Sequence, residues 1–201
     1  MKDTIKMVAA LVIFATVACV ALAFVYDATS PVIAENNVKK TLLAQKELFP
    51  DAEFEEIKGE IVSFNAAVEF GAVYTAKKNG KITGVIINSS SGGFNAPISA
   101  LVGVSSEGKI TGVQIITNTD TPGLGSNASN PAYFIDKPAK TKTFYGQFTG
   151  MSVDDKVTVE KDGGKVVAIT AATISSRAVA LLVSEALTQG TQWLAQNGGS
   201  K

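Results

Sequence analysis

The sequence predicts an α+β fold: an N-terminal membrane helix, a second helix, and a single domain in which a twisted antiparallel sheet is closed by packed helices. Three observations predict it. The run from Met7 to Tyr26 is uncharged and long enough for a bilayer. Gly80-Lys81-Ile82-Thr83-Gly84-Val85 recurs as Gly108-Lys109-Ile110-Thr111-Gly112-Val113, too short and too few for a solenoid, so it marks successive hairpins of one sheet. After Thr173, the apolar residues Ile174, Ala178, Leu181, Leu182, Ala186 and Leu187 fall at helical spacing and can share one broad face. The expected boundaries are 1–28 for a cytoplasmic N-terminus and anchor, 29–50 for a connecting helix, and 51–201 for an extracytoplasmic domain.

The anchor is interrupted only by Thr16, the thiol of Cys19 and the phenol of Tyr26. At about 1.5 Å per residue it reaches roughly the 30 Å of a bilayer core. Lys2 and Lys6 precede it, so the positive-inside rule places the N-terminus in the cytoplasm and the remainder outside, a single pass through the cytoplasmic membrane. Two processing signals fit less well. Cleavage after Ala21-Leu22-Ala23 would need a shorter apolar run, and lipidation at Cys19 would need a leucine-like residue three positions earlier.

Ser30-Pro31 reads as a helix start, with the hydroxyl as cap and proline in the first turn, and this second helix is expected to run to Leu48 or Phe49 before Pro50-Asp51 breaks it. The charged stretch Glu53 to Glu60 leads into the domain. A weaker third copy of the echo, Asp162 to Ile169, reads as a strand running into the cluster Thr170-Ala171-Ala172-Thr173. Gly190 and the tail Asn197-Gly198-Gly199 mark the fraying end of the last helix.

Composition removes most self-contained catalysis. The 201 residues contain no histidine and one cysteine, so the commonest general base, the usual haem and zinc ligands, a thiolate metal site and an intrachain disulfide are all excluded. No catalytic nucleophile with a base and no metal site stands out. Eighteen basic residues balance eighteen acidic ones, which leaves no field to attract nucleic acid. Redox chemistry in such a chain needs a cofactor independent of these ligands.

Three segments have a composition that packing alone does not require. The hydroxyl cluster at Thr170 to Thr173 lies where a helix begins, and a helix start offers free N–H groups and a positive dipole end to a phosphate. Thr121-Pro122-Gly123-Leu124-Gly125 is a loop in which glycines permit close approach and proline stiffens the path. Gly92-Gly93-Phe94-Asn95-Ala96-Pro97-Ile98 has the same character, with an aromatic side chain available to touch a ring. Each alone is compatible with a plain turn or a helix cap.

Together and in this order, with the anchor and Thr29-Ser30-Pro31-Val32-Ile33-Ala34-Glu35-Asn36, these segments resemble the FMN-binding G subunit of Rnf-type membrane electron-transport complexes. The run at Thr170 to Thr173 is similar to the family's flavinylation signature Ser/Thr-Gly-Ala-Thr. The resemblance implies an FMN-carrying redox subunit, incomplete as an enzyme by itself, in a complex that couples ferredoxin and NAD⁺ chemistry to movement of Na⁺ or H⁺. It implies covalent FMN on Thr173 through a phosphoester, with Thr170, Ala171, Ala172 and the N–H groups from Ile174 onward around the phosphate. It implies that the loop of Thr121, Pro122, Gly123, Leu124 and Gly125 approaches the flavin ring, with Leu124 as its apolar contact, and that Gly93 and Phe94 line the neighbouring wall. Its partners would be the other membrane and redox subunits, the lipid bilayer, and a separate flavin transferase that uses FAD as donor during maturation. Lys140, Lys142 and Arg177 are near enough in sequence to be phosphate neighbours, although solvated surface charge is the plainer reading.

The chain departs from the family pattern at Ala171, where glycine is usual, at Val167, where an acidic residue is common, and at Asn118 and Asp120, where His and Glu are frequent. If position 171 requires a positive φ, alanine there costs on the order of 1 kcal/mol. Two other readings remain: the C subunit of a Na⁺-translocating NADH:quinone reductase, which has the same signature in a longer protein, and a membrane-anchored module that binds a noncovalent ligand or another protein without redox chemistry.

Overall fold

A computed structural model describes residues 2–197; Gly198 and Gly199, read from the sequence as part of the fraying tail, lie outside the described residues. The contacts divide the chain into two compact units, Met1–Lys40 and Thr41–Lys201. The first helix, α1, runs without a break over Lys2–Leu48 and has Pro31 inside it. Ser30-Pro31 is therefore not a helix start. Proline removes one backbone donor and crowds the preceding turn, at about 3 kcal/mol or more in a helix interior, and the helix continues through it although its neighbours Thr29, Ser30, Val32 and Ile33 are only middling helix formers. Within α1 an 18-residue window has a mean hydropathy of 2.8, so by length and composition the helix can cross a membrane.

The second unit is built on a five-stranded antiparallel meander in chain order: β1 Glu53–Ile57, β2 Val68–Lys78, β3 Lys81–Gly92, β4 Pro97–Ser105 and β5 Ile110–Thr117. Both copies of the echo lead into strands as their turn residues predict. Asn79 and Gly80 both take positive φ at the β2–β3 turn, where Lys78 pairs with Lys81. Gly108 does the same between β4 and β5. The first strand, β1, lies in the stretch that sequence reading left as a charged lead-in. Its glutamates face water on the sheet edge, an arrangement that discourages further strand pairing.

The long C-terminal helix α2, Thr173–Asn197, covers one face of the sheet. Its Ala178, Val179, Leu182, Val183, Ala186 and Leu187 are buried with Val85, Ile87, Val102 and Val104. On the opposite face Ala44, Leu48 and Phe49, from the end of α1, pack on Ala76, Ile86 and Leu101. The central run Val85-Ile86-Ile87 is consequently buried on both sides. Two serines of β3 pin α2 in register: Ser89 donates to the carbonyl of Leu182 (3.1 Å) and Ser91 to that of Ala178 (2.8 Å).

Two further expectations need correction. Gly190 does not end α2. A Cβ there would sit 3.2 Å from side-chain atoms of Ile87, Val85 and Val104, so glycine marks the closest approach of helix to sheet. The third echo copy is not a strand of the sheet either. Glu160–Asp162 forms a short 3-10 turn, Gly163 takes a left-handed φ of 78°, and Val166 makes only an isolated parallel bridge to Val159 before the chain continues outside regular structure to Ile169.

Candidate functional site

The chain enters α2 through a tight, fixed turn. The N–H of Ala172 donates to the carbonyl of Ile169 (3.0 Å), and Ser176 Oγ accepts from the N–H of Ile169 (2.9 Å) while donating to the carbonyl of Ala172 (2.9 Å). Ala171 takes φ 61° to make this turn. The condition set by the sequence is thus met: an alanine occupies a left-handed position, with a strain of about 1–2 kcal/mol. The first bond of the helix runs from the N–H of Ser176 to the carbonyl of Ala172 (3.0 Å). The N–H groups of Thr173, Ile174 and Ser175 precede that bond and have no intrahelical acceptor.

In front of this helix start lies a cavity of about 320 Å³ lined by Phe94, Asp120, Thr121, Leu124, Gly125, Ala171, Ala172, Thr173, Ile174 and Ser175. Three segments that are far apart in sequence, and that sequence reading singled out separately, converge here. Phe94 comes from the β3–β4 turn, Thr121 to Gly125 from the loop after β5, and Ala171 to Ser175 from the start of α2. Large apolar side chains stay open to solvent at its rim: Phe94 is 62% exposed, Ile174 51% and Leu124 40%. A flat, partly apolar anion fits this combination of an apolar rim and a helix N-terminus.

Not every expected residue lines the cavity. Thr170, Pro122 and Gly123 are exposed and lie off its wall, and Gly93 stands behind it, where a Cβ would come 3.1 Å from Asp120 Oδ2. Gly125 is required by close packing, since a Cβ there would fall 2.3 Å from Ser175 Oγ and 2.7 Å from the Cβ of Asp120. Arg177 does not line the cavity: its guanidinium holds both carboxylate oxygens of Asp162 at 2.7 and 2.8 Å. Lys140 and Lys142 are exposed and line no part of it, because the loop that carries them folds back on Asp136, which accepts the N–H groups of Thr141 and Lys142.

Sequence reading missed Asp120 and Ser175 as site residues. Asp120 is only 3% exposed and accepts from the N–H of Asn95 (2.8 Å), the N–H of Phe94 (3.3 Å) and the hydroxyl of Ser175 (2.6 Å). Burial pushes its carboxyl upward, but the hydrogen bonds from Asn95, Ser175 and Phe94 outweigh it and hold the group below the usual aspartate range. A signal was available: an acidic residue stands where a strand hands over to a glycine loop, a place where a carboxylate can collect backbone N–H groups.

Comparison with known proteins bears on this site directly. The family model described as an FMN-binding domain matches residues 93–188, an interval that contains all three walls of the cavity. The G subunit of the Na⁺-translocating ferredoxin:NAD⁺ oxidoreductase complex of Acetobacterium woodii is 32% identical over 193 residues, covering 89% of this chain and 87% of the relative. The G subunit of the ion-translocating oxidoreductase complex of Methanosarcina acetivorans is 31% identical over 180 residues, covering 89% of each chain. The G subunit of the proton-translocating ferredoxin:NAD⁺ oxidoreductase complex of Clostridium ljungdahlii is 33% identical over 174 residues, covering 85% of this chain and 82% of the relative.

Proposed function

The chain belongs to the family of G subunits of ion-translocating oxidoreductase complexes and contains an FMN-binding domain, and from that premise we propose that it carries one FMN joined covalently to Thr173 and passes electrons within such a complex. The observation that supports this reading most is the cavity at the start of α2, where Thr173, the first helical residue, stands beside free N–H groups and an apolar rim. The N–H groups of Thr173, Ile174 and Ser175 would hold the phosphate at the positive end of the helix. Leu124, Phe94 and Ile174 would shield the ring from water. FMN supplies the capacity to take up and release one or two electrons, which the side chains of this chain lack.

Attachment in this reading is a maturation step. The Thr173 hydroxyl oxygen attacks the FMN-side phosphorus of FAD, the pyrophosphate bond breaks, AMP leaves, and the hydroxyl proton passes to a flavin transferase. The coupling ion does not follow from the family, since relatives of similar identity are named for Na⁺ and for protons. Lys2 and Lys6 before the apolar run favour the outer face of the cytoplasmic membrane for the domain. Cysteines introduced into exposed loops of the domain should react with a membrane-impermeant thiol reagent in intact spheroplasts. Labelling only after lysis contradicts that side.

Thr173→Ala is the direct test of the site. The variant should remain folded and membrane-bound, while the wild-type chain keeps a fluorescent flavin through denaturation and the variant keeps none. Covalent flavin in the variant would falsify the assignment to Thr173. A colourless wild-type chain that binds a ligand reversibly would favour the non-redox binding module instead.

A further inference from the structure

The three walls of the cavity share one buried acid. Oδ1 of Asp120 accepts from the N–H of Asn95 at 2.8 Å, and Oδ2 accepts from the N–H of Phe94 at 3.3 Å and from Ser175 Oγ at 2.6 Å, so the β3–β4 turn and the first turn of α2 are fastened to the same group. The third wall is fastened by its neighbour. Asn118 accepts the N–H of Asp120 on Oδ1 (3.1 Å) and donates from Nδ2 to the carbonyl of Gly125 (3.0 Å). Glycine at 93 and 125 leaves the space the carboxylate needs, because a Cβ at either position would fall within 3.1 Å of Oδ2.

Among the described residues no lysine or arginine side chain lines this cavity, and none of Asp120's hydrogen-bond donors is charged. The carboxylate is therefore a fixed negative charge, satisfied by dipoles and not neutralised by a counter-ion, on the cavity wall. We propose that Asp120 is the positioning residue of the flavin site: its ionised carboxylate locks the three cavity walls together and holds a negative charge that keeps the potential of the bound flavin low. The inference rests on the reading that this cavity holds FMN. Reduction adds electron density to the ring, so an unpaired carboxylate beside it disfavours the reduced form. Burial alone would raise the carboxyl, and the donors that overcome burial keep it ionised at neutral pH.

Asp120→Asn tests both halves on the full-length chain. It removes the charge at nearly constant volume and replaces one acceptor oxygen by a donor that faces the N–H of Phe94 or the hydroxyl of Ser175. Two measurements are needed. Amide hydrogen exchange at Phe94 and Asn95 should be slow in the wild type and faster by on the order of tenfold or more in Asp120→Asn, as expected for a lost charge-assisted bond. Redox titration of the covalently loaded chain should give a potential in Asp120→Asn clearly more positive than in the wild type. Ser175→Ala, which keeps the charge and loses one hydrogen bond, should shift the potential less.

The outcomes are separable. Normal flavin content with an unchanged potential in Asp120→Asn overturns the electrostatic role, and unchanged exchange at Phe94 and Asn95 overturns the clamp, while Thr173 and the proposed function stand. A wild-type chain that carries no flavin overturns the proposed function and the electrostatic role together, and the exchange measurement then decides the clamp by itself. If Asp120→Asn does not fold, Asp120→Glu decides the issue. It keeps the charge, so its potential should stay near the wild-type value, and a large positive shift contradicts the proposal.

Discussion

The two long helices are both rich in apolar residues, and they meet opposite fates. In α1, the consecutive residues Leu11, Val12, Ile13 and Phe14 are all exposed in the structure, and in an α-helix four consecutive residues point in every direction around the axis. In α2, Ala178, Leu182 and Ala186 repeat every four residues beside Val179, Val183 and Leu187, and all six are buried against the sheet. The spacing of polar residues decides which happens. Between Met7 and Tyr26 there is no polar face, so only an apolar solvent can satisfy the helix; α2 has one buried stripe and one wet side, which lets it close a core. The same difference leaves α1 long and apolar enough to cross a membrane and holds α2 so firmly along its length that its first turn can stay open to the cavity.

The strongest way to break that comparison is to give α1 a polar face. Phe14→Lys together with Val17→Lys places two charges in the apolar run, at about 2.5–3.5 kcal/mol each near a bilayer centre. The doubly substituted chain should move from the membrane to the soluble fraction and still contain a folded domain. Continued resistance to carbonate extraction would show that α1 is not what holds the chain at the membrane.

An intermediate effect is expected where α2 lies closest to the sheet. Gly190→Leu forces a side chain against Ile87, Val85 and Val104, already 3.2 Å from where a Cβ would sit, and overpacking of this kind costs about 1–3 kcal/mol. Denaturant unfolding should show the loss. Unchanged stability would mean that the two elements part easily and that α2 does not carry the rigidity assigned to it.

The smallest effect belongs to the turn that opens α2. Ala171→Gly relieves a left-handed alanine, with a strain of roughly 1–2 kcal/mol, but it also frees the unfolded chain by about 0.4–1 kcal/mol. A net gain of at most about 1.6 kcal/mol should appear in the unfolding midpoint, with flavin attachment intact. A clear loss of stability would show that the turn does not hold position 171 at positive φ in solution.

How far the sequence could be read follows the same division. The long apolar helix, the turns at Gly80 and Gly108 and the stripe of α2 depend on local pattern, and each is legible in the residues. Pro31 misled because a proline next to a serine is a common helix start, whereas here the helix already under way continues through it. The segment Lys165 to Ile169 has the β-branched composition of a strand and ends outside the sheet, because its neighbours in space are a 3-10 turn and a single bridge. In the site, Phe94, Thr121, Leu124, Gly125 and Thr173 announced themselves by the composition of their segments. Asp120 and Ser175 did not single themselves out as cavity residues, since a carboxylate shared by three segments is a product of tertiary structure, whereas the left-handed turn at Ala171 was foreshadowed by an unusual residue.

The central claim is that the open first turn of α2 bears the cofactor, and mass spectrometry of the intact, denatured wild-type chain followed by peptide mapping tests it most directly. The intact mass should exceed that of the polypeptide by one FMN less one water, with the added mass on the peptide containing Thr173. A mass equal to the bare polypeptide, in a chain purified from cells that express the flavin transferase, or a flavin found on any other residue, would contradict it.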